Sequence, residues 1–346
     1  MMKINGLLLL YGVLLSCSKA EIPACDDSTA LCTLADYPVG TAINYGLLCS
    51  DTVYRRIAVR QFNSITAEND FKPECLHPEP LFYDWAPADS IAKFCAETGK
   101  RLHGHTLLWH KQLPPWMTDF QGNAADWEEM LRTHIHTIVS HYKGKVLAWD
   151  VVNEAFDEDG TLSRTIWLEH IGPDYIEKAF RFAHEADPDA LLFYNDFNLE
   201  SNSVKRSSAI SFLNDLKNKG VQVDGIGLQM HISISYPSAS QIATALQEIA
   251  EAQFRVHISE LDISVNPDNK DIELTDKLLA KQADLLEKIV TSYNQLLEQY
   301  RYGITFWGIT DKYSWLRSFY KREDYPLLYD DNYEPKPCYC KLKEVL

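Results

Sequence analysis

The sequence contains no G-x-G-x-x-G turn, no G-x-S-x-G elbow and no C-x-x-C pair. The first absence removes the dinucleotide fingerprint, the second the nucleophile turn of a serine hydrolase, and the third a zinc knuckle or thioredoxin-like motif. Positive charge is scarce: 33 Lys and Arg stand against 49 Asp and Glu, a net charge of −16 at pH 7. That balance argues against a phosphate-neutralising nucleic-acid surface and against polyphosphate or anionic lipid as partner, and favours a neutral ligand. After about Thr29 no Gly/Ser/Pro-rich linker, repeat or low-complexity tract interrupts the chain, which predicts a single domain.

Long apolar runs are also missing, except near the start. One Lys precedes the apolar stretch from Gly6 to Leu15, too short for the ~20 residues of a membrane span, and residues 1–16 are expected to be a secretory signal. "LLSC" (14–17) resembles a bacterial lipoprotein cleavage box, in which the thiol of Cys17 is lipidated. The expectation is export to the bacterial cell envelope or surface, or secretion if cleavage falls near Ala20 or Ala24. Membrane contact would be only through the lipid, and a leader over 17–33 would precede a domain over 34–346. Of the eight cysteines, lipidation of Cys17 would leave an odd number, so at least one thiol stays free and the fold cannot rest on a complete disulfide framework; one bridge near the N-terminus stays open. Cys338 and Cys340 are expected in the core of the last helix.

What the chain does have is aromatic surface and regular alternation. Aromatic residues make up 12%, with eight Trp and eighteen Tyr, and flat rings with a polar edge suit the faces of sugars. Eight short apolar runs, at 39–46, 63–69, 102–110, 145–154, 191–198, 224–231, 255–262 and 303–311, have the continuous character of strands covered on both faces. Amphipathic segments lie between them. Asp126 is expected to cap one, with a stripe through Trp127, Leu131, Ile138 and Tyr142 and a stop at Gly144; another begins with Pro173 and closes before Pro188, and a third ends at Gly220. Eight strands interleaved with helices predict an α/β fold, the (β/α)8 TIM barrel, rather than an open sheet.

In such a barrel function gathers where strands end. The runs end in Glu68 and Asn69; in His105, Trp109 and His110; in Asn153 and Glu154; in Gln229 and His231; in Glu260 and Asp262; and in Trp307 and Asp311. Six strands delivering polar and aromatic groups to one rim exceed what buried structural polar groups explain. Glu154 and Glu260 stand out, because glycoside hydrolysis needs one protonated acid for the leaving oxygen and one carboxylate for the anomeric carbon. Metal catalysis is the weaker reading: His103 and His105 share a strand face, but no acidic triad with an open position accompanies them, and His134 and His136 diverge on a helix.

Together "WDVVNEA" (149–155), "HISELDI" (257–263), "HTLLWHKQLPPW" (105–116), "ENDFK" (68–72) and "TFWGITDKYSW" (305–315) resemble glycoside hydrolase family 10, the endo-β-1,4-xylanases. The resemblance runs from about Leu34 to the C-terminus. It implies a retaining hydrolase of xylan and xylo-oligosaccharides that needs no metal and no organic cofactor, with Glu154 as acid/base and Glu260 as nucleophile. It also implies that His231 and Asp262 orient the nucleophile and that Asn153 holds the sugar 2-hydroxyl. Glu68, Asn69, Lys72, His105, Trp109, Gln112 and Gln229 match residues that bind sugars on the non-reducing side. Trp307 and Trp315 match the indoles that cover that side and crowd a C6 hydroxymethyl group. Glu154 must start protonated, so its pKa is expected to be raised by the charge of Glu260. A β-1,4-glucanase on the same barrel, and a non-catalytic glycan-binding surface lipoprotein, are the rival readings. The chain departs from the family pattern at Phe71, His103, Met230 and Ser259.

Overall fold

The computed structural model describes residues 26–270 and 272–346; the expected signal segment and Cys17 lie outside them. Nine strands form: β1 (Val39–Ile43), β2 (Ser64–Ala67), β3 (Arg101–Leu108), β4 (Ala148–Asn153), β5 (Leu191–Asp196), β6 (Gly225–Leu228), β7 (His231–Ser233), β8 (Arg255–Ser264) and β9 (Arg301–Phe306). All pairings among them are parallel, in the order β6-β5-β4-β3-β2-β1-β9-β8-β7, and β6 also pairs with β8, which closes eight strands into a barrel. Helices fall between consecutive barrel strands, as the expected (β/α)8 architecture requires.

The sixth apolar run is not one strand. β6 stops at Leu228, Met230 turns through a positive φ of 61°, and β7 resumes at His231 with β8 as its neighbour, pairing His231 with Asp262. Neither Gly nor Asn marks this left-handed position, so pattern alone could not reveal it.

Strand residues buried on both faces separate two cores. The larger cluster joins Ile65, Leu102, Trp149, Leu192, Ile226, Val256 and Ile304 to helix residues such as Ile138, Ala179 and Ile249. The smaller one is Phe193, Tyr302 and Ala148; His103 crosses edge-on to Phe193 and Tyr302 at 5.7 and 5.6 Å, and the Arg101 guanidinium lies over Tyr302 at 4.0 Å. In the larger core Gly104 allows close packing of β3 on β4, because a Cβ at that position would lie 2.1 Å from the Trp149 ring.

Local signals set the helices, with corrections at the expected cap Asp126, at the stop Gly144 and at Pro173, which lies ahead of its helix. The stripe through Trp127, Leu131, Ile138 and Tyr142 is buried, but the helix Ala124–His141 is capped by Asn123 and not by Asp126. Asn123 Oδ1 accepts from the amides of Ala125 and Asp126 while Asp126 Oδ2 accepts from the Asn123 amide, a reciprocal box in which Asp126 is the third helical residue. The helix ends at His141, short of Gly144. The segment after Pro173 is helical over Tyr175–Ala186, and that before Gly220 over Ser203–Asn218.

Leu31 is fully buried and its amide donates to Gln61 Oε1 at 3.0 Å, so packing begins before Leu34. The two late cysteines part company. Cys338 is buried in the helix Pro337–Val345, whereas Cys340 is only partly buried and is disulfide-bonded. Cys32, Cys49, Cys75, Cys95 and Cys338 are free thiols.

Candidate active site

Glu154 is the first residue past β4 and takes a positive φ of 58°. A non-glycine residue there costs about 1–2 kcal/mol, and the barrel holds it in place. Its amide donates to the Asn195 carbonyl at 2.9 Å, and the next amide, of Ala155, donates to the Tyr194 hydroxyl at 3.0 Å. The turn aims the side chain of Glu154 inward, where it is buried. Behind it, Tyr194 donates to Asp196, whose other oxygen accepts from the fully buried Lys205 ammonium at 2.8 Å. Burial pushes Asp196 up to about 7 despite that lysine.

Glu260 lies within β8, two residues before Asp262 on the same face of the strand. Its Oε1 accepts from Asn195 Nδ2 at 2.7 Å and its Oε2 sits 3.2 Å from His231 Nε2. The other ring nitrogen of His231 is 2.8 Å from Asp262 Oδ2, which also accepts from Trp315 Nε1 at 2.8 Å. Burial alone would lower the His231 pKa, but Asp262 and Glu260 outweigh it and push it up to about 10. His231 is therefore an imidazolium clamped between two carboxylates, with both nitrogens donating.

Three amides join the carboxylates across the mouth. Gln229 Nε2 donates to Glu154 Oε1 at 3.1 Å and to Asn153 Oδ1 at 3.2 Å; Asn195 Nδ2 donates to Asn153 Oδ1 at 3.0 Å and to Glu260. Ser259 Oγ completes the chain by donating to Asn195 Oδ1 at 2.6 Å. Turned over, the Asn153 amide instead accepts from Trp109 Nε1, just past β3, and donates to the Asn195 carbonyl, each at 3.2 Å, so both settings tie it to β5.

The remaining expected residues form one wall. Lys72 is buried, donates to Asn69 Oδ1 at 3.0 Å, and lies over the Trp109 and Trp307 rings at 5.2 and 6.0 Å. Its burial lowers its pKa against the pull of Glu260 and Glu68, and burial raises that of Glu68. His105, whose peptide bond to Thr106 is cis, is 2.9 Å from Asp150 Oδ2 and meets Trp307 edge-on at 5.4 Å. Trp315 packs edge-on against His231 at 4.8 Å. Gln112 is the exception: it is exposed, and only its carbonyl is engaged, by the Glu74 amide at 2.9 Å.

Two residues of the site escaped the sequence reading. Asn195 lies one residue before the end of β5, in the polar second half of the fifth run, which is the signal for it. Lys111 follows the Trp109–His110 pair, and its ammonium lies 2.8 Å from Glu154 Oε2. That contact reverses the expected pKa of Glu154. Burial raises it, but the Lys111 hydrogen bond and charge, with the bonds from Gln229 and Trp109, outweigh burial and hold it below the usual glutamate value. The expectation weighed the charge of Glu260 and missed the cation. Beside this pair opens a cavity of about 370 Å³, lined by Lys111, Glu154, Phe156, Asp157, Arg164 and Phe197 among others. It is lined by the segments that follow β3, β4 and β5, and neither Lys72 nor Trp307 lines it.

Deeper in the barrel, His103, Asp150 and His257 offer ligand atoms within 4.8 Å of one another, the cluster among the described residues with metal-ligand spacing. Asp150 is already engaged there: His103 Nε2 is 3.0 Å from its Oδ1 and His105 holds Oδ2.

Comparison with known proteins gives a consistent family. Residues 29–345 match the description Glycosyl hydrolase family 10. The chain is 37% identical to endo-1,4-beta-xylanase B of Thermotoga neapolitana over 98% of this chain and 96% of that one. It is 40% identical to a beta-1,4-xylanase of Dictyoglomus thermophilum over 84% and 83% of the two. The crystal structure of xylanase 10B from Thermotoga petrophila RKU-1 in complex with xylobiose superposes with a TM-score of 0.86 at 40% identity, covering 92% of this chain and 97% of that one.

Proposed function

The chain belongs to glycosyl hydrolase family 10, and from that premise we propose that it is a retaining endo-1,4-β-xylanase acting on xylan and xylo-oligosaccharides, with Glu154 as acid/base and Glu260 as nucleophile. The observation that carries the assignment is the amide chain that joins these two buried carboxylates at the barrel mouth.

In the first step Glu260 attacks the anomeric carbon as the bond to the leaving oxygen breaks, and Glu154 gives that oxygen its proton. The imidazolium of His231 hydrogen-bonds Glu260 and aims it, and Asp262 holds the imidazolium. In the second step Glu154, now a carboxylate, takes a proton from water; the resulting hydroxyl attacks the same carbon and displaces Glu260. Inversion twice restores the configuration. Asn153 offers an amide to the sugar 2-hydroxyl, a bond that strengthens as positive charge develops. Lys72, Glu68, Asn69, His105 and Gln229 bind the non-reducing part of the glycan, and the Trp307 and Trp315 indoles narrow that end against a C6 substituent.

Release of reducing ends from xylan tests the reading. Glu260→Ala and Glu154→Gln should each abolish it, and wild-type-like activity in either would sink the assignment. Higher initial rates on carboxymethyl cellulose than on xylan would move the substrate to glucan. The N-terminal sequence supports export and lipidation at Cys17; mass spectrometry of the mature N-terminus tests that, and an unmodified N-terminus beyond Cys17 would refute it.

A further inference from the structure

Lys111 is an odd neighbour for an acid. A general acid has to carry its proton when the substrate arrives, yet the Lys111 ammonium, 2.8 Å from Glu154 Oε2, favours the ionised form. The side chain of Lys111 is half exposed at 54%, while that of Glu154 is buried. The lysine therefore reaches in from the cavity beside the acid and can swing back into it. Its ammonium lies 5.7 Å from the centroids of both Trp109 and Phe197, so the path is flanked by rings.

We propose that Lys111 is a recognition residue for a carboxylate carried on the leaving-group portion of the glycan, so that the enzyme favours substrates bearing a uronic acid next to the bond it cuts. This rests on the xylanase reading above and names the substrate class of the same site.

An acidic ligand balances the charges better than a neutral one. In the free enzyme Glu154 is an anion paired with Lys111. When a uronate carboxylate takes the ammonium, Glu154 loses its cation, binds a proton from solvent and becomes the acid the first step requires. That proton then passes to the leaving oxygen as the glycosidic bond breaks. A neutral hydroxyl could accept a hydrogen bond from Lys111, but it could not replace the negative charge.

The other charged groups around the cavity are occupied. Arg164 pairs with Glu169 at 2.6 Å, Asp157 accepts from Ser163 at 2.6 Å, and Glu158 accepts from Asn198 and Asn202 at 3.0 and 2.9 Å. His110 is pushed toward the neutral form by burial, Lys72 donates to Asn69, Glu260 is held by Asn195 and His231, and Lys205 is paired with Asp196. Lys111 is the cation of this cavity that is paired with the acid itself, so exchange of its partner changes the charge around Glu154. The Asp157 and Glu158 side chains line the same cavity and keep the preference modest.

The test compares kcat/KM for three substrates: a linear xylo-oligosaccharide, the same backbone with one glucuronic acid on the leaving-group side, and that compound with its carboxyl reduced to a hydroxymethyl. Wild type should favour the acid over its reduced form by about tenfold at low salt, and less at high salt, as expected for a charge-assisted hydrogen bond. Lys111→Gln should bring that ratio close to one and move the alkaline limb of the neutral-substrate pH profile upward, since Glu154 then loses the cation that lowers its pKa. Lys111→Arg should keep the preference. No preference in wild type, or the same ratio in Lys111→Gln, would overturn the proposal. Failure of wild type to cut the linear oligosaccharide would instead refute the xylanase reading.

Discussion

Asn195 Nδ2 stands 2.7 Å from Oε1 of Glu260, and the backbone carbonyl of the same residue receives the Glu154 amide at 2.9 Å. One residue of β5 thus touches both halves of the catalytic pair. Asn195→Ala should lower kcat/KM on xylan by about a hundredfold, the scale of one lost preorganised donor, mainly through kcat. The stability loss should be only about 1–2 kcal/mol. Steady-state kinetics beside urea unfolding would separate the two, and a loss confined to KM would argue against a positioning role.

His231 links stability to pH. Its folded pKa of about 10 lies above its unfolded value of 6.5, so its contribution is fully present below pH 6.5 and is lost as pH rises through 10. The amount is on the order of a few kcal/mol. Thermal melts of the wild type should fall between pH 7 and 10, and those of His231→Phe should be lower at pH 7 and flatter across the window. Parallel curves would contradict the imidazolium assignment.

Removing Lys205 should be costly because it would strand Asp196. Both side chains are fully buried, and breaking such a pair from one side costs about 3–5 kcal/mol. Lys205→Met should therefore unfold at much lower denaturant, and the double variant with Asp196→Asn should recover part of the loss. Additive losses in that cycle would mean the two side chains do not interact.

Gly104→Ala probes the seam between β3 and β4. The new methyl would meet the Trp149 ring at 2.1 Å, and because Trp149 is buried it has little room to move. A loss of about 1–3 kcal/mol is expected from such overpacking. A melting temperature equal to wild type would show that the ring can shift.

Much of this architecture was readable from continuous apolar runs, because strands buried on both faces need no alternation and helices between them leave capping residues behind. Three features were hidden for separate reasons. The break between β6 and β7 turns on Met230, a residue whose type does not announce a positive φ. The cap at Asn123 was hidden by Asp126, an equally plausible capping residue three positions later. The pKa of Glu154 depends on Lys111, which is 43 residues away in sequence, and a charge on a loop carries no periodic signal. Asn195 was overlooked although its run ended as the others do.

The same break at Met230 also determines what moves together. His231 is in register with Asp262, and Ser233 with Ser264, so the clamp on the nucleophile and the nucleophile itself ride on one strand pair, which β6 braces from the lower half of β8. Remodelling of the segments beyond Phe156 and Phe197, where a decorated glycan would press, can reshape what the enzyme accepts while leaving the register of that strand pair unchanged. Substrate range and chemical competence can therefore drift independently in this fold.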